Sequence, residues 1–508
     1  MGPLKQEIEL EVLIRARFPL IYLVSWEEQR ALAMIEGISQ RQRKKLLSWS
    51  ITEGFGQDLG QSAAKDPQAA LCQIGELREP ALIVLKDFHA CMQDPGIIRR
   101  LRDLVASFKS SFKTLIILSP TLTVPVELEK DLMVIDYDLP GQEELKSLLE
   151  RVIAASQAGN KFAVDLSGAQ KDRLIQSLQG LTLSEAENAL AHAVVKNDKL
   201  DISAVDVVLE DIKQIIRKSK LLEYFEAKEE FAQVGGLEPL KNWIEKRGKA
   251  FSAQARDFGL PQPKGLLLLG VQGCGKSLVC KTVASLWKFP LLRLDMGAIF
   301  GGFVGQSEEN MRRAIKTAEA VAPCVLWLDE IEKGLSGTQS SHVSDAGTTA
   351  RVFSTFLTWL QEKTKPVFIA ATANNISLLP PELLRKGRLD DIFFVDLPNE
   401  QERKEIFSIH IARRRRDPGR FDLERLAQSS GGYSGAEIEQ AVIEALSEAF
   451  SQGKELSQDH IIKALAAQIP LSRTMSEEID KLRQWASTRA RPASATSPMA
   501  AQNGASRG

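Results

Sequence analysis

A glycine-rich segment, residues 270–277, contains the residues whose spacing most clearly indicates chemistry. It reads GVQGCGKS and fits the phosphate-binding pattern G-x-x-x-x-G-K-[ST]. The glycines let successive backbone N–H groups point into one concavity, and the following helix adds the positive end of its dipole. Lys276 is predicted to reach the β- and γ-phosphates, and Ser277 to bind Mg²⁺. The sequence therefore predicts a site for a nucleoside triphosphate.

Further contacts to the nucleotide are expected from the loop backbone and the start of the helix. These contacts come from Gly270, Gly273, Cys274, Gly275 and Leu278. Oxidation of Cys274 would block binding, but the favoured interpretation is that a small residue simply fits the loop.

Two adjacent carboxylates follow an apolar run, Cys324–Leu328, that is predicted to be a buried strand. Hydrolysis needs one carboxylate to hold the Mg²⁺ shell and a second to orient and deprotonate water. We assign Asp329 to the first role and Glu330 to the second. Many buried strands end in acids, so the assignment depends on their place in the same α/β unit as the glycine-rich loop.

Polar residues beyond the next predicted strand, 367–371, extend the candidate site. Asn374 is placed to contact the γ-phosphate or the attacking water, although an isolated asparagine more often caps a helix or turn. Arg385 and Arg388 lie on a short loop that contains glycine. They suit an arginine finger that acts on a neighbouring subunit, and the alternative is a solvated basic loop.

Strands alternating with amphipathic helices between residues 231 and 397 predict a doubly wound parallel α/β layer. The pattern predicts a large ATPase domain over 218–398, a helical lid over 399–471, a C-terminal helix over 472–489 and a disordered tail over 490–508.

Residues 1–217 look like a degenerate copy of the same α/β plan with its own helical lid. Where a phosphate loop would follow the strand 20–24, the chain reads Ser-Trp-Glu-Glu, whose carboxylates would repel phosphate. We therefore expect a non-hydrolysing ATPase-like domain. The alternative is an unrelated α/β domain that shares a few turns.

Composition indicates a globular protein in a reducing compartment. The 508 residues carry a net charge of −1 and five cysteines without metal-like spacing. We expect a cytoplasmic protein without a membrane span, and nucleic acid is not the expected partner. The basic run 413–416 is interpreted as a solvated helix face, with nucleic-acid contact as the alternative.

With these motifs in view, residues 225–470 resemble an AAA ATPase module, in the AAA+ subgroup that includes FtsH-like unfoldases. The resemblance places Asn374 at the sensor and both arginines at the finger positions. It also implies contacts near the adenine and from the lid, made by Gly235, His410, Gly435 and Ala436. By family analogy the cofactors are ATP and Mg²⁺, and the assembly is a ring, a homo-hexamer.

Residues 302–305, Gly-Phe-Val-Gly, match the pore loop that grips a threaded polypeptide in such rings. Phe303 and Val304 would be its gripping residues. The alternative is a loop whose phenylalanine packs into the core. The chain lacks His-Glu-x-x-His, which excludes a fused metalloprotease of that type.

The whole chain is similar to an uncharacterised AAA family that is encoded in cyanobacteria and, as a hypothetical chloroplast reading frame, in some plastid genomes. The resemblance implies a photosynthetic lineage, a regulatory role there and, if the chain is plastid-encoded, the stroma. Our leading hypothesis is an ATPase ring that remodels an unidentified protein partner through its pore. The alternatives are an ATP-dependent regulatory switch or scaffold without threading and, third, a nucleic-acid motor.

Overall fold

The computed structural model describes residues 5–56, 64–159, 162–226, 231–300, 306–334, 343–385 and 387–495. It divides into two compact units, Met1–Val208 and Leu209–Gly508.

The first unit is built on a parallel sheet with helices on both faces. Its described strands are β1 Leu20–Val24, β2 Lys45–Trp49, β3 Ala81–Lys86, β4 Thr114–Ser119 and β5 Leu132–Asp136, in the order β2-β3-β4-β1-β5. The helices around it are α1 Lys5–Arg15, α2 Glu28–Gln42, α3 Pro67–Glu76 and α4 Pro95–Phe108. Leu20 and Tyr22 pack into one apolar cluster and Ile21 and Leu23 into another, as alternation along a strand covered on both faces requires.

A helical segment follows this sheet. It contains α5 Gln142–Gly159, α6 Gly168–Leu178, α7 Leu183–Asn197 and α8 Ala204–Ser219, with the short strands β6 Ala163–Val164 and β7 Lys199–Leu200. Thr182 caps α7 through a capping box with Glu185, which fixes where the helix begins.

The second unit contains a larger sheet. Its described strands are β8 Leu222–Phe225, β9 Gly265–Gly270, β10 Leu291–Leu294, β11 Cys324–Leu328, β12 Val367–Ala373, β13 Asp391–Val395 and β14 Arg491–Pro492, in the order β14-β13-β9-β12-β11-β10-β8. All paired strands run parallel except β8, which is antiparallel to β10. The helices that accompany it are α9 Glu238–Gly248, α10 Ala253–Asp257, α11 Lys276–Trp287, α12 Met296–Phe300, α13 Gln306–Ala320 and α14 Val343–Glu362.

The five strands of the first sheet and strands β9 to β13 of the second follow the same order when each set is counted from its own first strand. In both, the fifth strand lies beside the first, and the first beside the fourth. The predicted fold class, a doubly wound AAA+ module preceded by a related α/β domain, is confirmed.

Helices alone follow β13 until the chain returns to the sheet. They are α15 Glu400–Arg413, α16 Leu423–Ser429, α17 Gly435–Ser451, α18 Gln458–Ala467, α19 Leu471–Thr474 and α20 Ser476–Arg489. Phe407, Ile411, Leu426 and Ile438 belong to the common core of α15 to α18. Within the described ranges, no helix combines the length and the apolar character needed to cross a bilayer.

The beginning of the expected disordered tail differs from the prediction. Arg491 and Pro492 form β14, which pairs with Phe393 and Phe394 of β13. Ala493 is fully buried and donates its backbone N–H to Phe394 O at 2.9 Å. Burial of this small side chain holds residues 491–493 on the sheet, which their Ala-, Ser- and Pro-rich composition did not indicate. Residues 496–508 lie outside the described residues.

Candidate functional site

The glycine-rich loop connects β9 to α11, as predicted, and its shape depends on close backbone contacts. A Cβ atom at Gly270 would lie 1.9 Å from Val395 O, so only glycine fits against strand β13. Gly273 has a φ of +78°, and a Cβ there would lie 2.9 Å from Ser434 Oγ. The loop is thus tightly enclosed between the sheet and the start of α17.

Lys276 lies within the concavity of the loop. Its Nζ donates to Gly270 O at 2.8 Å and to Val271 O at 2.7 Å, and the residue is 6% exposed. Burial lowers the pKa of this ammonium group, an effect that nearby carboxylates including Glu332 partly oppose. The loop therefore holds a desolvated cation at the place where the sequence predicts phosphate contact.

Asp329 forms hydrogen bonds to both α11, the helix that follows the loop, and the neighbouring strand β12. Its Oδ1 accepts hydrogen bonds of 2.8 Å from Ser277 Oγ and from Thr372 Oγ1. Thr372 Oγ1 also accepts the backbone N–H of Glu330 at 2.8 Å. A hydroxyl beside a carboxylate matches the oxygen ligands that Mg²⁺ prefers while it keeps several waters. Ser277 and Asp329 therefore fit the predicted metal site.

Glu330 follows Asp329 with its backbone in the left-handed region, at a φ of +47°. Asn374 Nδ2 donates to Glu330 Oε1 at 3.0 Å, and the other carboxylate oxygen pairs with Lys333 Nζ. The backbone N–H of Asn374 donates to Glu332 Oε1 at 2.8 Å. The structure thus brings Asn374 to the carboxylate predicted to act on water.

The lid completes the site from the opposite side. The backbone N–H of Ala436, in the first turn of α17, donates to Gly273 O at 3.0 Å. A Cβ at Gly235 would lie 2.9 Å from Ile406 Cγ1, so the segment predicted to lie near adenine packs directly on the lid. His410 lies 3.5 Å from Glu439 through its Nδ1, and burial lowers the pKa of this imidazole, with Glu439 acting in the opposite direction.

Between the loop and the lid lies a cavity of about 390 Å³. Its wall includes most of the predicted site: Gly235, Gly273, Cys274, Gly275, Lys276, Ser277, Leu278, Glu330, Asn374, His410, Gly435 and Ala436. Gly270 and Asp329 contact wall residues through the bonds given above.

Several residues of this region were not singled out from the sequence, and four of them bear on the chemistry of the site. Thr372, Asp396 and Glu439 lie in the cavity wall. Glu332 is 5% exposed and supports Asn374. The sequence places Thr372 directly after a predicted buried strand, but it does not show that this strand pairs with the one before the acidic pair. The others depend on contacts between segments distant in the chain.

The two arginines proposed as fingers are not part of this wall among the residues described. Arg385 is exposed and Arg388 is half-buried. Within the described part of the chain, Arg388 Nη1 is buried without a hydrogen-bond partner. Phe303 and Val304, the predicted pore-loop residues, lie outside the described residues.

The first unit has an ion-pair cluster after its own first strand. Glu27 is 8% exposed, and its Oε1 accepts the backbone N–H of Leu183, at the start of α7, at 2.5 Å. Arg30 pairs with Glu27 and makes two hydrogen bonds of 2.9 Å to the Glu144 carboxylate. In the second unit, the start of the lid helix α17 contacts the phosphate loop. In the first unit, the start of α7 contacts a protein carboxylate, that of Glu27, instead.

Comparison with known proteins agrees with this geometry. The family model described as "ATPase family associated with various cellular activities (AAA)" matches residues 266–397, and that of the AAA+ lid domain matches 420–463. The models of the SpoVK-like AAA ATPase N-terminal domain and second domain match 6–137 and 143–219.

Individual proteins similar to this chain are also found. The uncharacterized AAA domain-containing protein ycf46 of Guillardia theta is 38% identical over 94% of both chains. Its namesake in Pyropia yezoensis is 40% identical over 96% of this chain and 99% of the relative. A cell division cycle protein 48 homolog of Archaeoglobus fulgidus is 29% identical over 65% of this chain and 46% of the relative. With this similarity and the site described above, the chain belongs to the AAA ATPase family, in the group of the ycf46 proteins.

Proposed function

We propose that the chain hydrolyses ATP in an Mg²⁺-dependent reaction, within a ring of identical subunits, and uses the energy to remodel a protein partner. The observation that carries the proposal is the hydrogen-bonded chain that links Ser277, Asp329, Thr372, Glu330 and Asn374 at the cavity wall. A triphosphate bound by the loop would end beside these groups.

Binding is assigned to the loop and its lysine. Lys276 Nζ donates to two loop carbonyl groups in this structure. Phosphate oxygens can replace these neutral acceptors, and the ammonium group then pairs with negative charge. The backbone N–H groups of the loop and of the first turn of α11 add directed donors. The base would lie between Gly235 and His410, in the apolar part of the cavity that Ile406 and Ile409 line.

Hydrolysis is assigned to Glu330 and Asn374. Glu330 accepts a proton from the water that attacks the γ-phosphorus, as the bond to the β,γ-bridging oxygen breaks. Asn374 holds one oxygen of the Glu330 carboxylate and leaves the other for water once the surface pair with Lys333 opens. Ser277 and Asp329 would hold Mg²⁺, which would supply positive charge beside the phosphate groups.

The ring is proposed because the transition state needs positive charge to stabilise it. Among the described residues, the cavity wall contributes only three basic side chains, those of Lys276, His410 and Arg413. Arg385 is exposed and Arg388 carries an unpaired Nη1 within the described part, so both suit contact with a neighbouring subunit. We propose a homo-hexamer, in the cytoplasm or, for a plastid-encoded chain, in the stroma.

The first unit is proposed to be silent toward nucleotide. The Glu27 carboxylate accepts the lid-helix N–H and pairs with Arg30, so an anionic ligand would face repulsion and the loss of these bonds. Calorimetric titration of the full chain with ADP should give one site per chain, and none after Lys276→Ala. A second site that survives Lys276→Ala would contradict this part of the proposal.

The experiment that tests hydrolysis is Glu330→Gln. This variant should bind ATP with unchanged affinity and lose at least about 10²-fold in turnover, because glutamine cannot accept the proton. Lys333→Gln is the matched control, since it removes the surface ion pair but no proposed catalytic group. Equal turnover in Glu330→Gln and wild type would defeat the assignment.

The remodelling role is tested separately. Purification of the Glu330→Gln protein from its native cell with ATP should retain the partner, which mass spectrometry can identify. Phe303→Ala should then abolish partner processing while ATPase activity continues. Processing that survives Phe303→Ala would favour the second candidate, an ATP-dependent switch or scaffold, and stimulation of hydrolysis by DNA or RNA would favour a nucleic-acid motor.

A further inference from the structure

The C-terminal segment, residues 476–494, packs against the ATPase sheet and carries two arginines that pair with opposite ends of β13. Ile479, Leu482 and Ala486 bury one face of α20, and Ala493 enters the core around β13. The segment is therefore a docked part of the fold.

At the first residue of β13, Arg491 Nη1 lies 2.7 Å from Asp391 Oδ2. Directly after the last residue, Arg483 binds Asp396 with Nη2–Oδ1 at 2.9 Å and Nε–Oδ2 at 3.0 Å. The two ion pairs thus join the same segment to the same strand. Because the carboxyl ends of parallel strands form the cavity, Asp396 lines it, whereas Asp391 is not among the described wall residues.

Asp396 is an unusual neighbour for a triphosphate. The residue is 6% exposed, and its carboxylate belongs to the wall of a cavity that we propose for a polyanion. Its charge already acts on the phosphate loop: burial raises the pKa of the Cys274 thiol to about 12, and Asp396 contributes in the same direction. Without a counter-charge this carboxylate would oppose phosphate binding.

Arg483 supplies that counter-charge in a bidentate arrangement, which fixes the carboxylate as well as neutralising it. The backbone N–H of Leu397 also donates to Asp396 Oδ1 at 2.8 Å and limits its rotation further. The pair is shielded on the aspartate side, where the side chain is 4% exposed, so solvent screens its charge weakly.

We propose that Arg483 is a positioning residue for nucleotide binding: it neutralises Asp396 and thereby makes nucleotide affinity depend on the docked C-terminal segment. The inference rests on the proposed nucleotide site. It assigns to residues 476–494 a role that the phosphate loop and lid do not explain.

The test is calorimetric titration of the full-length protein with Mg²⁺ and ADP. Arg483→Gln should bind ADP about tenfold more weakly than wild type, because Asp396 then faces the phosphates without a partner. Arg491→Gln is the matched control, since it breaks the other ion pair of the same segment away from the cavity. It should bind as wild type does, and thermal unfolding of both variants checks that the segment still folds.

Charge rescue separates neutralisation from a merely structural role. The double variant Asp396→Asn/Arg483→Gln should regain wild-type affinity, because it removes the unpaired charge together with its partner. Affinity that stays low in the double variant, or an Arg483→Gln protein that binds like Arg491→Gln, would overturn the inference alone. A wild-type protein that binds no ADP would overturn the proposed function as well.

Discussion

Thr372 lies on β12 and Asp329 directly follows the adjacent strand β11, and Thr372 Oγ1 donates a 2.8 Å hydrogen bond to Asp329 Oδ1. The same hydroxyl oxygen accepts the backbone N–H of Glu330 at 2.8 Å. One threonine therefore orients the carboxylate assigned to the metal shell and the backbone of the residue assigned to water. Its side chain links the two proposed steps, metal binding and proton transfer.

Thr372→Val should preserve the shape of this site and remove both hydrogen bonds. Turnover should fall about tenfold, with ADP affinity in the absence of Mg²⁺ unchanged. The free energy of unfolding should drop by about 1–2 kcal/mol, because the N–H of Glu330 loses its acceptor. Steady-state ATPase assays and urea unfolding measure these effects. Thr355→Val, at a half-buried helix position, is the control, and equal turnover in both variants would contradict the role of Thr372.

Asn374→Ala should lower turnover by up to about 10²-fold without weakening ADP binding, since the amide contacts Glu330 and no part of the loop is altered. The comparison variant is Asn375→Ala, at the next residue. It removes the turn-capping hydrogen bond that Asn375 Oδ1 accepts from the backbone N–H of Ser377. A parallel loss of ADP affinity in Asn374→Ala would mean that the side chain acts on binding instead.

Gly273→Ala should reduce nucleotide affinity, because the new methyl group must displace Ser434 Oγ, 2.9 Å away, and disturbs the lid contact. The left-handed backbone adds a cost of about 1 kcal/mol. Gly453→Ala isolates that backbone cost, since Gly453 also has a positive φ, +65°, but nothing within 4 Å of the new Cβ. Calorimetry with ADP should separate the two variants. If both bind ADP equally, the packing of the lid on the loop is unimportant for binding.

Cys274 should react slowly with alkylating reagents in the folded protein. The residue is half-buried in the cavity wall, and burial raises the pKa of its thiol to about 12. At about pH 8 roughly one thiol in 10⁴ is then ionised. Mass-spectrometric labelling should show a rate that still rises above about pH 9, whereas the urea-unfolded chain levels off near its ordinary pKa. A plateau below about pH 9 in the folded protein would revive the oxidation hypothesis.

The local patterns of the sequence were sufficient to predict the elements that carry the site. The loop, the acidic pair and the strand before Asn374 each depend on a few consecutive residues. The loop and the acidic pair follow β9 and β11 as expected, whereas β12 extends to Ala373, beyond the expected end at residue 371. Thr372 was not predicted as a site residue because its role depends on the pairing of β12 with β11, which a linear pattern does not specify.

The same reason explains why strand β14 was not predicted. Arg491 and Pro492 have no strand-like alternation, and their place is set by the burial of Ala493 and the ion pair with Asp391. The ion-pair cluster of Glu27, Arg30 and Glu144 likewise joins residues more than 100 positions apart. Long-range charge pairing of this kind leaves no periodic signal in the sequence.

Strand β14 also has a consequence for how copies of the chain can associate. It covers Phe393 and Phe394 at the edge of β13, which would otherwise present unpaired backbone groups to any extended segment nearby. Pro492 has no N–H to offer a further strand, and Arg491 places a charge on the new edge. Strand β14 therefore restricts β-pairing between molecules at this side of the sheet, so that chains shortened before residue 490 should be prone to aggregation through the uncovered edge.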